Sequence, residues 1–161
     1  MALKVGDKAP DFTLPSFTPS DDLVQISLSS YFGKKNVLIL FFPQAFTGGC
    51  TEEMCTVSEE YNDFGNENTE VLAISVDGTF VQRGFAKQNN IKTKMLSDFN
   101  KEVIKKYDVV QENFAHGMHN VSKRSVFLVG KDGLIKYTET TENPGVQVNF
   151  EKLKNAVKEL N

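Results

Sequence analysis

Two cysteines, Cys50 and Cys55, are the residues of this sequence whose type and placement best suit chemistry. Cys50 follows Gly48 and Gly49, at a point where an apolar strand pattern has ended and a helical pattern begins. A thiol at a helix N-terminus lies where the helix dipole and free backbone N–H groups stabilise an anion. Such surroundings lower the pKa of a cysteine. The sequence therefore predicts a reactive thiolate at position 50.

Helical spacing separates the two cysteines. At about 100° per residue, Cys50 shares one inward line with four large side chains: Met54, Val57, Tyr61 and Phe64. We therefore expect Cys50 at the floor of a pocket. Cys55 would lie about 140° away, with its Cα roughly 8.7 Å from that of Cys50. A disulfide needs Cα atoms closer than about 7 Å, so a bridge between them would require the first turns of the helix to unwind.

The elements that must position Cys50 are predicted from apolar runs. Strands are expected at residues 36–42, 71–76, 125–129 and 134–138, the last two joined by a glycine-rich turn. The first two flank the helical segment, so they should be parallel strands of a βαβ unit. A weaker alternation at residues 11–14 and 25–28 predicts an N-terminal β-hairpin around a Pro/Ser/Asp-rich loop.

Further helical patterns complete the fold prediction. They cover residues 80–88, 101–107 and 150–160. Strands that alternate with helices, followed by a hairpin and a helix, are typical of an α/β protein. We expect a central mixed sheet with flanking helices, beside the N-terminal β-hairpin. A length of 161 residues predicts a single domain over residues 1–161.

Charge and composition exclude several classes of function. The 18 basic and 21 acidic residues give a formal net charge of −3, which argues against a binder of nucleic acids or anionic membranes. Two cysteines do not make a disulfide scaffold. The longest apolar run, residues 37–42, is far shorter than the ~20 residues of a membrane span, and residues 1–10 lack the apolar core of a signal peptide. With no targeting segment visible, we expect a cytoplasmic protein, in a compartment where free thiols are kept reduced.

A metal site is the main alternative use of these cysteines. His116 and His119 could join them, but zinc needs four converging ligands, and the cysteine spacing does not fit a zinc knuckle. We therefore expect no metal and no cofactor. The stretch around the histidines, residues 113–119, is expected to form an irregular loop near the pocket. Phe114 and Met118 would there contact either the apolar part of a substrate or their ordinary packing neighbours.

The segment Pro43-x-x-x-Thr47-x-x-Cys50 resembles the signature of the peroxiredoxins, the thiol peroxidases of thioredoxin-like fold. Other segments carry the same resemblance: Val5-Gly-Asp-Lys-Ala-Pro-Asp-Phe12, Ala73-Ile-Ser-Val76, Leu96-Ser-Asp98, Arg124-Ser-Val-Phe-Leu-Val129 and Gly133-Leu-Ile-Lys-Tyr137. Asn143-Pro-Gly-Val146 is similar to the alkyl hydroperoxide reductase E branch. Cys55 lies five residues after Cys50, and this position is similar to that of a resolving cysteine in the bacterioferritin comigratory protein, or peroxiredoxin Q, branch.

The resemblance implies a role for each matching residue. Cys50 would attack the terminal oxygen of a peroxide and become a sulfenic acid. Thr47 would hydrogen-bond the sulfur and the peroxide, and Pro43 would shield the site from water. Arg124 would hold the thiolate and the peroxide. Glu53 would orient this arginine, although acidic residues are also common near a helix N-terminus simply because of the dipole.

The resemblance also implies a catalytic cycle. Cys55 would resolve the sulfenic acid of Cys50 as an intramolecular disulfide, which a thioredoxin-like partner would reduce. The protein would act on hydrogen peroxide or alkyl hydroperoxides, as a dimer joined through the loops around the site. Two alternatives stay open: a one-cysteine peroxidase in which Cys55 does not resolve, and a redox relay that oxidises a bound protein. A thiol–disulfide oxidoreductase fits poorly, because it needs Cys-x-x-Cys and four residues separate these cysteines.

Overall fold

The computed structural model describes residues 2–161, so Met1 of the predicted domain lies outside the described residues. Its nine strands are β1 Thr13–Phe17, β2 Leu23–Ser27, β3 Asn36–Phe41, β4 Thr69–Ser75, β5 Lys94–Ser97, β6 Val110–Asn113, β7 His119–Ser122, β8 Ser125–Val129 and β9 Ile135–Thr140 within this described part. Its five α-helices over the same residues are α1 Gly48–Glu59, α2 Tyr61–Phe64, α3 Thr79–Asn89, α4 Glu102–Lys106 and α5 Phe150–Leu160.

A mixed five-stranded sheet forms the centre, in the order β5-β4-β3-β8-β9. Strands β3, β4 and β5 are parallel, whereas β8 runs antiparallel to β3, and β9 runs antiparallel to β8. The predicted mixed sheet, and the βαβ unit formed by β3, α1 and β4, are therefore confirmed. Because continuous apolar runs have no polar face, the sheet must be covered on both sides.

Both faces of the sheet are covered, which explains these apolar runs. Every residue of β3, β4 and β8 is buried. Alternate residues of β3 belong to two different core clusters: Val37 and Ile39 to one, Leu38 and Leu40 to the other. Cys50 belongs to the second cluster, so α1 lies on that face of the sheet.

The sequence predicted the long elements with small shifts of their ends. The N-terminal hairpin is confirmed as the antiparallel pair β1–β2, in which Thr13 pairs with Ser27 and Phe17 with Leu23. The inward-facing residues that follow Cys50 do not share one helix. Met54 and Val57 lie in α1, whereas Tyr61 and Phe64 lie in α2, and the two helices meet at Glu60. Strand β5 was not predicted, because four residues are too few for a clear pattern.

The irregular loop predicted at residues 113–119 is one residue too long at each end, because Asn113 ends β6 and His119 begins β7. Strands β6 and β7 form a second antiparallel hairpin, and only its tip is irregular. His119 begins β7, and His116 lies in the tip with a φ of 59°. The two strands contain mostly polar residues, and half of their positions are exposed, so no apolar alternation marks them in the sequence. Among residues 2–161, no helix is both long enough and apolar enough to cross a bilayer.

Candidate active site

Strand pairing brings distant residues of the site together. Cys50 lies in the first turn of α1, which follows β3 through the loop at residues 42–47. Arg124 immediately precedes β8, and the register of the antiparallel pair places Ser125 opposite Phe41. The start of β8 therefore lies beside the carboxyl end of β3, where α/β proteins form their sites. This pairing explains how side chains separated by 74 positions meet.

The Cys50 thiol is fully buried and contacts a guanidinium. Arg124 Nη2 lies 3.5 Å from Cys50 Sγ, at hydrogen-bond distance for a sulfur acceptor. Both side chains have 2% exposure or less. Burying an arginine is costly unless its charge and its N–H donors are satisfied.

Two further groups satisfy Arg124. Its Nη1 donates to Glu53 Oε1 at 2.9 Å in a buried ion pair. The backbone carbonyl of Pro144 accepts from Nη2 at 2.9 Å and from Nε at 3.3 Å. Glu53 lies in the second turn of α1 and is fully buried, so it pairs with Arg124 rather than capping the helix. These contacts fix the guanidinium beside the sulfur.

Gly49 leaves the space that Arg124 occupies. A Cβ at position 49 would lie 2.9 Å from Arg124 Nη2 and 3.7 Å from the Pro144 carbonyl oxygen. At Gly48, by contrast, a Cβ would have no neighbour within 4 Å among the described residues. The carbonyl of Gly49 accepts a hydrogen bond from Gln147 Nε2 at 2.8 Å. Of these two glycines, therefore, only Gly49 is needed for Arg124 to approach the backbone of α1.

The loop that precedes α1 is held by a half-buried carboxylate. Pro43 is buried, and Thr47 is the N-cap residue, whose hydroxyl donates to the Gln44 carbonyl at 2.9 Å. The backbone N–H of Ala45 donates to Asp77 Oδ2 at 2.8 Å. Asp77 follows β4, the neighbouring strand, and its carboxylate therefore links the loop to the sheet.

Burial dominates the protonation of the thiol. It raises the pKa of Cys50, against the lowering effects of the Arg124 guanidinium, the Gln44 backbone N–H and the Thr47 hydroxyl. The prediction of a lowered pKa is therefore wrong for this closed arrangement. The cause is that the thiol has no exposed surface, so its anion loses its hydration.

Glu53 carries a second shifted pKa. Burial raises the pKa of its carboxyl from 4.5 to about 7, even though Arg124 lowers it. Its Oε2 is buried and has no hydrogen-bond partner within residues 2–161. Burial thus favours the neutral carboxyl, and protonation of Glu53 would leave the charge of Arg124 to the sulfur.

Cys55 lies outside this cluster. It is half-buried in the third turn of α1, and neither cysteine forms a disulfide in the described chain. Both cysteines lie inside one continuous α-helix, as the sequence predicted. A separation of five residues in such a helix corresponds to Cα atoms roughly 8.7 Å apart. In this conformation the two thiols cannot bond.

The histidines do not contribute to the cluster. His119 Nδ1 lies 3.1 Å from the Glu112 carbonyl oxygen, within its own hairpin. In residues 2–161, no three His, Cys, Asp or Glu side chains converge as metal ligands would. His116 is exposed at the hairpin tip.

The structure adds site residues that the sequence did not predict. The carbonyl of Pro144 holds Arg124, but every residue has a carbonyl, so no sequence signal marks it. The nearby motif at residues 143–146 pointed to this segment only through resemblance. Gln147, which donates to the Gly49 carbonyl, also has no signal in the sequence. Asp77 had a usable signal, since a carboxylate just beyond a buried parallel strand lies at the edge where sites form.

Comparisons with known proteins find relatives over most of this chain. The AhpC/TSA family model matches residues 5–138. Alkyl hydroperoxide reductase E of Mycobacterium tuberculosis is 34% identical over 145 residues, covering 89% of this chain and 88% of the relative. Peroxiredoxin bcp of Coxiella burnetii is 32% identical over 136 residues, covering 84% and 87%. The crystal structure of reduced 2-Cys peroxiredoxin from Plasmodium vivax superposes with a TM-score of 0.83 at 26% identity, covering 96% and 80%.

The fold and the buried thiol–arginine pair define a thioredoxin-like protein with a cysteine-based site. The chain belongs to the AhpC/TSA family. The predicted peroxiredoxin resemblance, thioredoxin-like fold and thiol-dependent peroxidase class are thereby confirmed. Peroxides are substrates that fit this family.

Proposed function

We propose that Cys50 reduces hydrogen peroxide and organic hydroperoxides. The Cys50 thiolate attacks the terminal oxygen of ROOH, the O–O bond breaks, and the products are a sulfenic acid on Cys50 and, after the leaving oxygen takes up a proton, ROH. The observation that carries this proposal is the 3.5 Å approach of Arg124 Nη2 to the sulfur, fixed from behind by Glu53. A donor so placed stabilises both the thiolate and charge on the leaving oxygen.

Ionisation alone would not make Cys50 fast. A cysteine with a pKa near 8.5 is about 3% thiolate at pH 7, so complete ionisation gains at most about 30-fold. Nucleophilicity also falls as the pKa falls, which reduces that gain. The remaining acceleration must come from orienting the peroxide and stabilising charge on the leaving oxygen. We assign these tasks to Arg124 and Thr47, and the shielding of the thiolate from water to Pro43.

Cys55 is the proposed resolving residue. Its thiol would condense with the Cys50 sulfenic acid, giving a disulfide and water. Because α1 keeps the two apart, resolution requires the first turns of this helix to unwind after oxidation. Gly48 and Gly49 support that proposal, since glycine lowers the stability of a helix start.

A thioredoxin-like protein would return the disulfide to two thiols in a reducing compartment, the cytoplasm. We also propose a homodimer formed around the site. Its support is three exposed aromatic rings, one on the loop before α1, one at the start of α3 and one after β5: Phe46, Phe80 and Phe99 are 51%, 72% and 67% exposed. Large apolar side chains left exposed on a surface are candidates for association.

The experiment is a rapid-mixing comparison of hydrogen peroxide with organic hydroperoxides on wild type, Cys50→Ser and Cys55→Ser. The proposal expects no reaction for Cys50→Ser. Cys55→Ser should form the sulfenic acid at the wild-type rate, yet fail to turn over with thioredoxin. Normal turnover of Cys55→Ser would instead show a one-cysteine peroxidase, and full activity of Cys50→Ser would refute the proposal.

A redox relay is the second candidate, because the same sulfenic acid can react with a thiol of another protein. Multiple rapid turnovers with a generic thioredoxin favour the enzyme. A stable mixed disulfide with one partner protein, without turnover, would favour the relay.

A further inference from the structure

A second cavity lies between the N-terminal hairpin and α3, apart from the Cys50 site. Its volume is about 360 Å³. The hairpin, α3 and the segment that leads into β5 all contribute lining residues, and none of the proposed catalytic residues is among them. The cavity is more than twice the ~150 Å³ that holds a benzene molecule in an apolar protein interior. It can therefore hold a ligand of about ten non-hydrogen atoms.

The body of this cavity is apolar. Side chains from all three elements line it: Val24, Ile26, Ala86, Ile91 and Met95. An apolar cavity of this size with a few polar groups is typical of a small-molecule site.

Two buried polar atoms of the cavity walls lack partners. Gln82 Oε1 and Thr93 Oγ1 are buried and make no hydrogen bond within the described residues. Their residues are only 2% and 4% exposed, and both line the cavity. The Gln82 amide is held in place, because its Nε2 donates to Ser75 Oγ at 2.9 Å and to the Leu96 carbonyl at 2.8 Å. Buried polar atoms are nearly always satisfied, so these two point to a missing ligand or bound water.

The rim of the cavity is cationic. Four basic residues and one acidic residue line it: Arg83, Lys87, Lys92, Lys94 and Asp21. Lys87 is paired with Asp21 and Lys94 with Glu70. Arg83 and Lys92 form no ion pair within residues 2–161. The Arg83 guanidinium lies over the Phe17 ring at 4.6 Å from its centroid, which leaves its edge free to donate to an anion.

We propose that this cavity binds a medium-chain aliphatic carboxylate. The aliphatic chain fills the apolar body, and the carboxylate pairs with Arg83 and Lys92 at the rim. The ligand has no donor to offer Gln82 Oε1, so water enclosed beneath it pairs with the polar atoms of Gln82 and Thr93. Binding needs no reaction at Cys50, so the proposal is independent of the peroxidase function.

The test is calorimetric titration of the full chain with decanoate, below its micelle concentration, and with decylammonium as the cationic counterpart. We expect saturable one-site binding of decanoate and none of decylammonium. Arg83→Glu combined with Lys92→Glu should weaken decanoate binding at least about tenfold, since both charge-assisted hydrogen bonds to the carboxylate are lost. Ala86→Phe should abolish it by filling the cavity.

Controls separate a lost site from a lost fold. Lys131→Glu reverses a single charge at an exposed turn residue outside the cavity and should bind decanoate like wild type. Each variant should retain the wild-type melting temperature and peroxide turnover. The proposal is overturned by absent decanoate binding, by equal binding of decylammonium, or by binding that survives Ala86→Phe in the folded protein.

Discussion

Arg124 Nη2 lies 3.5 Å from Cys50 Sγ, within a pocket that excludes water from both groups. On its other side the same guanidinium donates to Glu53 at 2.9 Å. A thiolate and a carboxylate thus compete for one cation. The share of the Arg124 charge that Glu53 neutralises determines how strongly the thiolate is stabilised. It also determines how much positive charge is left for a bound peroxide.

Removing the charge of Glu53 should make the thiol more acidic. In Glu53→Gln the carboxylate no longer raises the pKa of Cys50, and Arg124 keeps its full charge for the sulfur. The pH midpoint of Cys50 alkylation, measured in a Cys55→Ser background, should therefore move to lower pH. Arg124→Met should move the same midpoint to higher pH. A shift in the same direction for both variants would contradict the competition.

The raised pKa of Glu53 should make the free energy of unfolding depend on pH. Its pKa of about 7 in the folded protein lies above the ordinary value of 4.5, so the folded state binds the proton more tightly. The free energy of unfolding should therefore fall as the pH rises from about 4.5 to about 7. Denaturant titrations should show this decline for wild type and a weaker one for Glu53→Gln. Identical slopes would mean that Glu53 does not titrate in this range.

Two adjacent glycines offer a matched pair of substitutions. Gly49→Ala should displace Arg124, because the new Cβ would lie 2.9 Å from Nη2. Gly48→Ala meets nothing within 4 Å in residues 2–161 and should stabilise α1 slightly, by up to about 1 kcal/mol. We expect Gly49→Ala to lose at least tenfold in the peroxide rate and Gly48→Ala to retain it. Equal activity of the two variants would show that the arginine need not approach the backbone.

Asp77 is predicted to position the loop before α1 without touching the peroxide. Asp77→Ala removes the acceptor of the Ala45 N–H and of the Ser75 hydroxyl. It should cost about 1–3 kcal/mol of stability and slow the peroxide reaction. Asp77→Asn keeps an acceptor oxygen and should restore most of both. If the stability falls and kcat/KM stays unchanged, Asp77 has only a structural role.

The sequence predicted what depends on local pattern and missed what depends on packing. The position of Cys50 in α1, its inward direction and the parallel strands around it follow from hydrophobic spacing. Arg124 and Glu53 were found through motif resemblance, since no local rule joins residues so far apart. The raised pKa of Cys50 could not be predicted, because it depends on how completely the neighbouring loops cover the thiol.

Arg124→Ala tests the central claim most directly. Sulfenic acid formation should be followed by rapid quenching in a Cys55→Ser background, at a pH where titration shows Cys50 fully ionised in both proteins. Ionisation of the thiol can change this rate by at most about 30-fold. We therefore predict that Arg124→Ala slows sulfenic acid formation by well over 30-fold, and that the loss persists at this pH. A loss that disappears once Cys50 is ionised would contradict it, and would reduce Arg124 to a group that only lowers the pKa of the thiol.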